Sequence, residues 1–460
     1  MFRLSEKTEL TSRILLDFID KHKKEVTSRY EDLHNAYVSD HKILHEPKKD
    51  AHKPDNRIVV NFPKYIVDTM NGFFIGNPIK ITADDEAVAE YVEYLDQYND
   101  QDDNNAELSK TSSIYGKGYE FYFADEHSEL CITYFSPKEA FMIFDDSVLE
   151  NPLYFVRLWK DNDENEFGSV HSKSTSRNFS LTGGFKWLDE ATAHGFTDVP
   201  ATEYIENAEK QGIFEGSVLS MTNAYNKAIS EKANDVDYFA DAYLKILGTK
   251  LEKDDIQHIR DNRVINFEGD DTGKLVVEFM NKPESDTTQE NYLNRLERLI
   301  FQISMVANIS DENFGASSGI ALKYKLQAMS NLEKTKERKF TSGMNRRYKI
   351  LFSHPLSRVP ADAWVQLHYK FTPNFPANLL EETQIAANME GITSHETQLK
   401  VISVVDDVQG ELNKIEEENK PPERTVVDDM MFGGVNGNQT TVGGNQAMLM
   451  NNTEDTTDEQ

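Results

Sequence analysis

Apolar positions recur at helical spacing along most of this chain and alternate in one stretch. Leu15, Ile19, Val26, Tyr30, Leu33 and Tyr37 return at steps of three, four or seven, which predicts helix over residues 6–45. "HEPKKDAHKPDN" interrupts it. A second helix is expected from about Asn61 to Phe74, stopped by "GNP", where Pro78 cannot continue it and Gly76 could take a positive φ. Residues 84–114 read as two acidic helices. From Tyr115 to about Tyr204 the period falls to two, with Tyr119, Phe121 and Phe123 alternating with Glu120 and Tyr122. Turn-like "ADEHSE" leads on to "LCITYF", so the region is expected to be antiparallel β. Within it "DNDENEFGSVHSKSTSRNFSLTGG" reads as long hairpins or exposed loops with few residues to bury.

The second half returns to helix. Val218, Tyr225, Ile229, Val236, Ala240, Tyr243 and Leu247 form one stripe over 217–247, and Tyr292, Leu296, Leu299, Ile303 and Val306 form another over about 287–307. Between them "RVINF" and "KLVVEFM" read as short strands separated by the turn "EGDDTG". Two long helices carrying a small β tip suggest a stalk with a head. "ISDENFGASSGIALKYKLQAM", residues 309–329, then sets an acidic loop with Gly and Ser before a helix over about 320–352. That helix would extend roughly 50 Å at about 1.5 Å per residue. Leu322, Leu326 and Met329 share a face at its start, and Phe340, Met344, Tyr348 and Leu351 do so at its end. "EKTKERK" between them has no apolar face, so it is solvated or meets charged neighbours, and a bend is expected at Gly343. A last helical region covers 379 to about 418, "NKPPER" ends order, and residues 423–460, rich in Asn, Gly, Thr and acids, read as a disordered tail. The fold class is α+β and mainly helical.

At 460 residues the chain is long enough for two or three domains, but 38% apolar residues is lean for a compact globular protein. Much of its length is therefore expected at surface or subunit interface. Seventy-nine acidic against forty-nine basic residues give a formal charge of -30. That argues against ordinary nucleic-acid binding, where clustered Lys and Arg release counterions from phosphate. It is compatible with a surface that lets DNA pass without adhesion, although solubility is the plainer explanation of charge alone. The single cysteine, Cys131, excludes an internal disulfide and a multi-cysteine zinc site, and its place in an apolar strand suggests a buried thiol in a reducing compartment. "MFRLSEKTELTSRILLDF" has no signal-peptide pattern, and the longest apolar stretch, Leu299 to Ile309, is broken by Gln302, Ser304 and Asn308, so no membrane span is expected.

Candidate chemistry is sparse. The pairs Asp84-Asp85, Asp102-Asp103, Asp145-Asp146 and Asp254-Asp255 could in principle hold two divalent metals, but so acidic a chain produces such pairs by chance. The histidines form no His-Glu-x-x-His pattern, there is no Gly-x-Ser-x-Gly elbow, and "YGKGY" at 115–119 is too short for a phosphate loop and is more simply a turn entering a strand. In "SSG" at 317–319, Ser317 or Ser318 is expected to cap a helix and Gly319 to let the chain turn. The tryptophans do not cluster with basic residues as a stacking platform would require. No catalytic residue, metal or cofactor is expected.

Several stretches, in order, carry a resemblance. "NFPKYIVDTMNGFFIGNPI", "SSIYGKGYEFYF", "FSPKEAFMIFDD" and "VPATEYIENAEKQGIFE" are followed by the two most specific, "AISEKANDVDYFADAYLKILG" and "ISDENFGASSGIALKYKLQAMSNLEKTKERKF". From about residue 55 to 355 the chain resembles the portal proteins of tailed bacteriophages, in particular the portal family of long-tailed phages of Gram-positive hosts. The resemblance implies a homo-oligomeric ring, typically of twelve subunits, at one capsid vertex of the virion, assembled in the host cytoplasm. Double-stranded DNA would be packaged and ejected through the ring without sequence specificity. Terminase and the head-tail adaptor would dock on it, and major capsid and scaffold proteins would surround it. It implies a wing over 1–216, stem helices at 217–247 and 287–307 with a small α/β clip at 248–286 between them, and a tunnel loop at 308–318. A long wing helix with a return strand would cover 319–378 and a helical crown 379–420, leaving 421–460 as a tail. Asn308, Ser310, Asp311, Glu312, Asn313, Phe314 and Ser317 would then face the DNA channel, and twelve copies would carry a formal charge of about -360. No enzymatic role is implied. The alternatives are a metal-dependent phage nuclease or DNA-processing enzyme using the acidic pairs, and a capsid-associated protein without a channel.

Overall fold

The computed structural model describes residues 2–50, 53–240, 244–247, 264–267, 276–279, 286–309, 324–374, 379–402, 404–405 and 407–419. The long N-terminal helix resolves into parts. Thr11 caps α1 (Ser12–Glu25) by accepting the Ile14 N–H at 3.4 Å, and a π-helical turn at Val26–Tyr30 joins it to α2 (Glu31–Tyr37). Helix α3 (Phe62–Ile75) starts where Asn61 accepts the Lys64 N–H at 2.9 Å; Gly76 follows it at φ -66°, so the positive φ expected there is not adopted. The two acidic helices are α4 (Glu86–Tyr98), capped by Asp85, and α5 (Gln101–Tyr115). Gly116 ends α5 at φ 83°, where a side chain would overlap the Lys210 carbonyl.

The alternating stretch is β sheet, as expected. After β1 (Phe2–Arg3) and β2 (Lys80–Ala83) come β3 (Lys117–Ala124), β4 (Leu130–Phe135), β5 (Ala140–Phe144), β6 (Pro152–Lys160), β7 (Glu166–His171) and β8 (Thr175–Ser180). The short β9 (Lys186–Trp187) and β10 (Thr192–Ala193) precede β11 (Ala201–Ile205). One antiparallel sheet has the order β11-β3-β4. The other runs β1-β5-β6-β7-β8-β10 with β9 on β8, antiparallel but for β1 on β5. The stretch read as exposed is the β7-β8 hairpin, and it does bury residues: the Phe179 ring covers Gly168, where a side chain would collide with it. Leu15, Phe18 and Ile19 of α1 pack on this sheet against Phe141, Ile143, Val156 and Phe179.

In the second half one helix is shorter than its apolar stripe. Helix α6 (Ser217–Ala240) stops before residue 247, and β12 (Leu244–Leu247) is a strand. It lies between β13 (Val264–Phe267), which is parallel to it, and β14 (Val276–Phe279), which is antiparallel. The two predicted strands therefore exist but pair with β12 and not with each other. Leu244 and Leu247 fit either period over four residues, and hydrogen bonding from both sides decides for the strand. Helix α7 (Asp286–Ser304) packs along α6, linked by a Lys232–Glu290 ion pair and by Gln289 donating to Asp235 at 3.0 Å. Helix α8 (Gln327–Phe352) is continuous through Gly343, whose missing side chain leaves room for the Tyr204 ring. Strand β15 (Leu367–Lys370) pairs with β2.

The chain divides into two compact units, residues 1–376 and 377–460. In the second, the helical region expected over 379–418 holds three helices: α9 (Leu379–Asn388), α10 (His395–Leu399) and α11 (Val408–Glu418). Gly391 at φ 76° turns the chain after α9, and Ser394 caps α10 by accepting the Thr397 N–H at 3.3 Å. The expected tail at 421–460 lies outside the described residues.

Candidate channel loop and its anchorage

Of the residues expected to face a channel, Asn308 is described; Ser310, Asp311, Glu312, Asn313, Phe314 and Ser317 lie outside the described residues, as do Ser318 and Gly319. The described residues on either side, up to Ile309 and from Tyr324 on, are held as follows. Helix α7 ends at Ser304, and Met305 takes φ 59°, a left-handed conformation that is uncommon for a bulky side chain. This reversal returns Val306 to the core at 2% exposure. Asn308 Nδ2 then donates to Glu297 Oε1 at 3.2 Å, and the Ile309 N–H donates to the Tyr65 hydroxyl at 2.8 Å. On the far side Leu326 and Met329, at the start of α8, are buried in the same core cluster as Ile300 and Val306. The chain leaves one core and re-enters it.

Two devices fix the helices that carry these roots. Aromatic rings of α3 brace α6 and α7: Phe62 meets Tyr225 and Phe301 edge-on at 5.0 and 5.8 Å, and Tyr65 meets Phe301 at 5.5 Å. Along α6, Asn226, Ser230 and Asn234 accept the backbone N–H groups of Val60, Ile58 and Asn56 at 2.9, 2.9 and 2.7 Å. Extended chain advances about 6.6 Å per two residues and helix about 6.0 Å per four, so every second N–H meets every fourth side chain.

Helix α8 is held by charge inside the protein. Lys336 Nζ donates to Glu206 Oε2 at 2.6 Å, to Ser113 Oγ at 2.5 Å and to the Ser109 carbonyl at 3.1 Å, with both ionic side chains 2% exposed. Burial pulls the Lys336 ammonium below its ordinary value, against the attraction of Glu206. Three turns later Arg347 grips Glu120 in bidentate fashion, with Nε on Oε2 and Nη2 on Oε1 at 2.8 Å each, and donates to Asn105 Oδ1 at 2.6 Å. Glu120 also accepts the hydroxyls of Tyr122 and Tyr204 at 2.8 and 3.0 Å and the Gln101 amide at 3.2 Å. Within "EKTKERK" Lys336 thus meets a charged partner while Lys334, Thr335 and Arg338 are exposed, so both possibilities read from its pattern occur. What sequence reasoning missed is who those partners are. Gln101, Asn105 and Ser109 stand four residues apart on α5, a polar stripe on a buried face, and that spacing was the available signal.

Two of the acidic pairs have structural uses. Asp85 caps α4, Asp84 faces His368 at 3.4 Å, and Asp145 accepts four hydrogen bonds from Ser147 and Asn151 in its own turn. Asp102 and Asp103 line an acidic cleft of about 650 Å³ between α4, α5 and β2, together with Asp96, whose carboxyl burial pushes up to about 6. Asp254-Asp255 lies outside the described residues. Among the described residues no group of three or more His, Cys, Asp and Glu is arranged to hold a metal ion, and no helix is long and apolar enough to cross a membrane. Cys131 on β4 is half-buried, and burial raises its thiol to about 11.

Comparison with known proteins agrees with the resemblance. A family model described as "Phage portal protein, SPP1 Gp6-like" matches residues 16–422. The portal protein of Clostridium phage phiCD119 is 25% identical over 244 residues, 51% of this chain and 52% of that protein. The portal protein of Bacillus phage SPP1 is 24% identical over 406 residues, 80% of this chain and 77% of that protein. The chain thus spans about half the length of the first relative and about three quarters of the second. With the family model covering most of its length and a mixed α+β architecture beneath it, this chain belongs to the phage portal protein family of the SPP1 Gp6-like type.

Proposed function

We propose that copies of this chain close into a ring at one vertex of a phage capsid, and that double-stranded DNA passes through its axis during packaging and ejection. The family match over residues 16–422 carries this reading. The packed pair α6 and α7 with the three-stranded sheet between them in sequence suits a stem bearing a clip, on which terminase and later a head-tail adaptor would dock. The two sheets with α1–α5 and α8 suit the wing, and α9–α11 the crown, within a shell of scaffold and major capsid protein. Segment 308–318 is read as the tunnel loop, a reading supported by the burial of the flanking described residues Val306, Leu326 and Met329 in one core, as a loop working against moving DNA requires. The protein is read as non-catalytic, with ATP hydrolysis belonging to the terminase.

Native mass spectrometry of the purified protein, with negative-stain images, tests the ring. A discrete mass near twelve or thirteen subunits with a central hole is expected; a stable monomer or dimer that scaffold and capsid partners fail to assemble would overturn it. Changing Asp311 and Glu312 to Lys is expected to slow packaging by attracting DNA phosphate, and unchanged rates would remove these two acids from the channel. The nuclease alternative predicts divalent-metal-dependent cleavage of plasmid DNA.

A further inference from the structure

Two arginines on helix α7 have no partner inside the subunit. Leu293, Leu296 and Ile300 are buried and define the inner face of the helix. Steps of three and four place Thr288, Asn291, Arg295, Arg298 and Gln302 together on the opposite face, and all five are exposed. No carboxylate stands among them. The stripe runs for about 21 Å, at about 1.5 Å per residue. In a chain of formal charge -30 it is a local reversal of sign. Helix α7 also leads directly into segment 308–318, with Asn308 tied back to Glu297.

The carboxylates of the helix pair are already engaged within the copy. On α6, Glu231 pairs with Lys49 at 2.8 Å, Asp235 accepts the Gln289 amide at 3.0 Å and Asp237 accepts the Asn56 amide at 2.5 Å. On α7, Glu290 pairs with Lys232, and Glu297 accepts from Asn308 at 3.2 Å. Arg295 and Arg298 enter no hydrogen bond, ion pair or ring contact among the described residues. A single exposed arginine such as Arg13 on α1 is ordinary. Two on adjacent turns of an acid-free stripe form a cationic surface, and the same helix pair of a second copy has no free described carboxylate to meet it. Arginine with asparagine, glutamine and threonine beside it is a side-chain set that contacts phosphate without reading sequence. Double-stranded DNA carries about one negative charge per 1.7 Å of its axis, so a stripe of this length finds phosphate in any register.

We propose that Arg295 and Arg298 contact the phosphate backbone of double-stranded DNA inside the ring and hold it against slipping back. The assignment rests on the ring and channel reading above. It is tested in full-length protein carrying Cys131→Ser, assembled into capsids that are then filled with DNA. Arg298→Cys bearing a photoactivated aryl azide is expected to cross-link to DNA, and the same label at Arg13→Cys is not. Both positions are exposed, so neither new cysteine disturbs a core. Separately, Arg295→Gln with Arg298→Gln should form rings in the usual yield. It should raise the DNA lost when ATP is withdrawn during packaging by about threefold or more, with the largest difference at low salt. A label at position 298 that joins subunit to subunit and not to DNA would overturn the contact in favour of a subunit interface. Intact rings with no cross-link to DNA, and a Gln variant that retains DNA normally, would overturn it and leave the ring standing. Unmodified protein that forms no ring under any condition would overturn both.

Discussion

A methyl group at position 343 would enter the space of the Tyr204 ring, which Arg347 and Phe340 also touch. Gly343→Ala, normally favourable in a helix, is therefore expected to destabilise by about 1–3 kcal/mol, measured as a lowered denaturant midpoint. Lys336 poses a different problem, because its charge and that of Glu206 are each tolerable only beside the other. Lys336→Met alone should cost about 3–5 kcal/mol by leaving a buried carboxylate, and adding Glu206→Gln should recover most of it. Recovery in the double variant separates a charge effect from simple loss of packing. Neither residue announced this role: a lysine in "EKTKERK" looks solvated until the partner 130 positions earlier is known.

Elements were legible where one local rule sufficed. The start of α3 near Asn61, the turn around Gly116 into β3 and the alternation of β3 follow from side chains close in sequence. Strand β12 did not, because its four residues become a strand only through partners that begin at residues 264 and 276. The buried charge network was hidden for the same reason, since it joins α5, β3, β11 and α8. The roots of the candidate loop were half visible: Val306 belonged to the α7 stripe, while the Tyr65 contact is long-range. That contact is testable at the level of the element. Tyr65→Phe removes the acceptor for the Ile309 N–H and keeps the ring on Phe301, so amide exchange at Ile309 should speed up while α3 and α7 stay protected. Unchanged exchange at Ile309 would show that the root is held by packing alone.

For the whole molecule, buried titrating groups pull stability in opposite directions with pH. His22 and His171 are pushed down by burial to about 4 and about 3. The unfolded chain takes up these protons first, so their contribution is present above the ordinary histidine range and is lost as pH falls towards those values. Asp96, pushed up to about 6, binds its proton more tightly when folded, so it disfavours the fold above pH 6 and ceases to do so as pH falls towards the usual carboxylate range. Asp96→Asn, which keeps an acceptor for the Tyr348 hydroxyl, should therefore raise the melting temperature at about pH 7.5 and have little effect at about pH 4. A last consequence concerns mechanical load. Because the chain on either side of residues 310–323 emerges from a single core, a pull on that span cannot lever its supports apart without first breaking the packing of Ile300, Val306, Leu326 and Met329. Helix α8 behind it is bolted at 336 and 347 on one side, so it would act as a strut, and repeated tugging would be returned elastically with the mount undamaged.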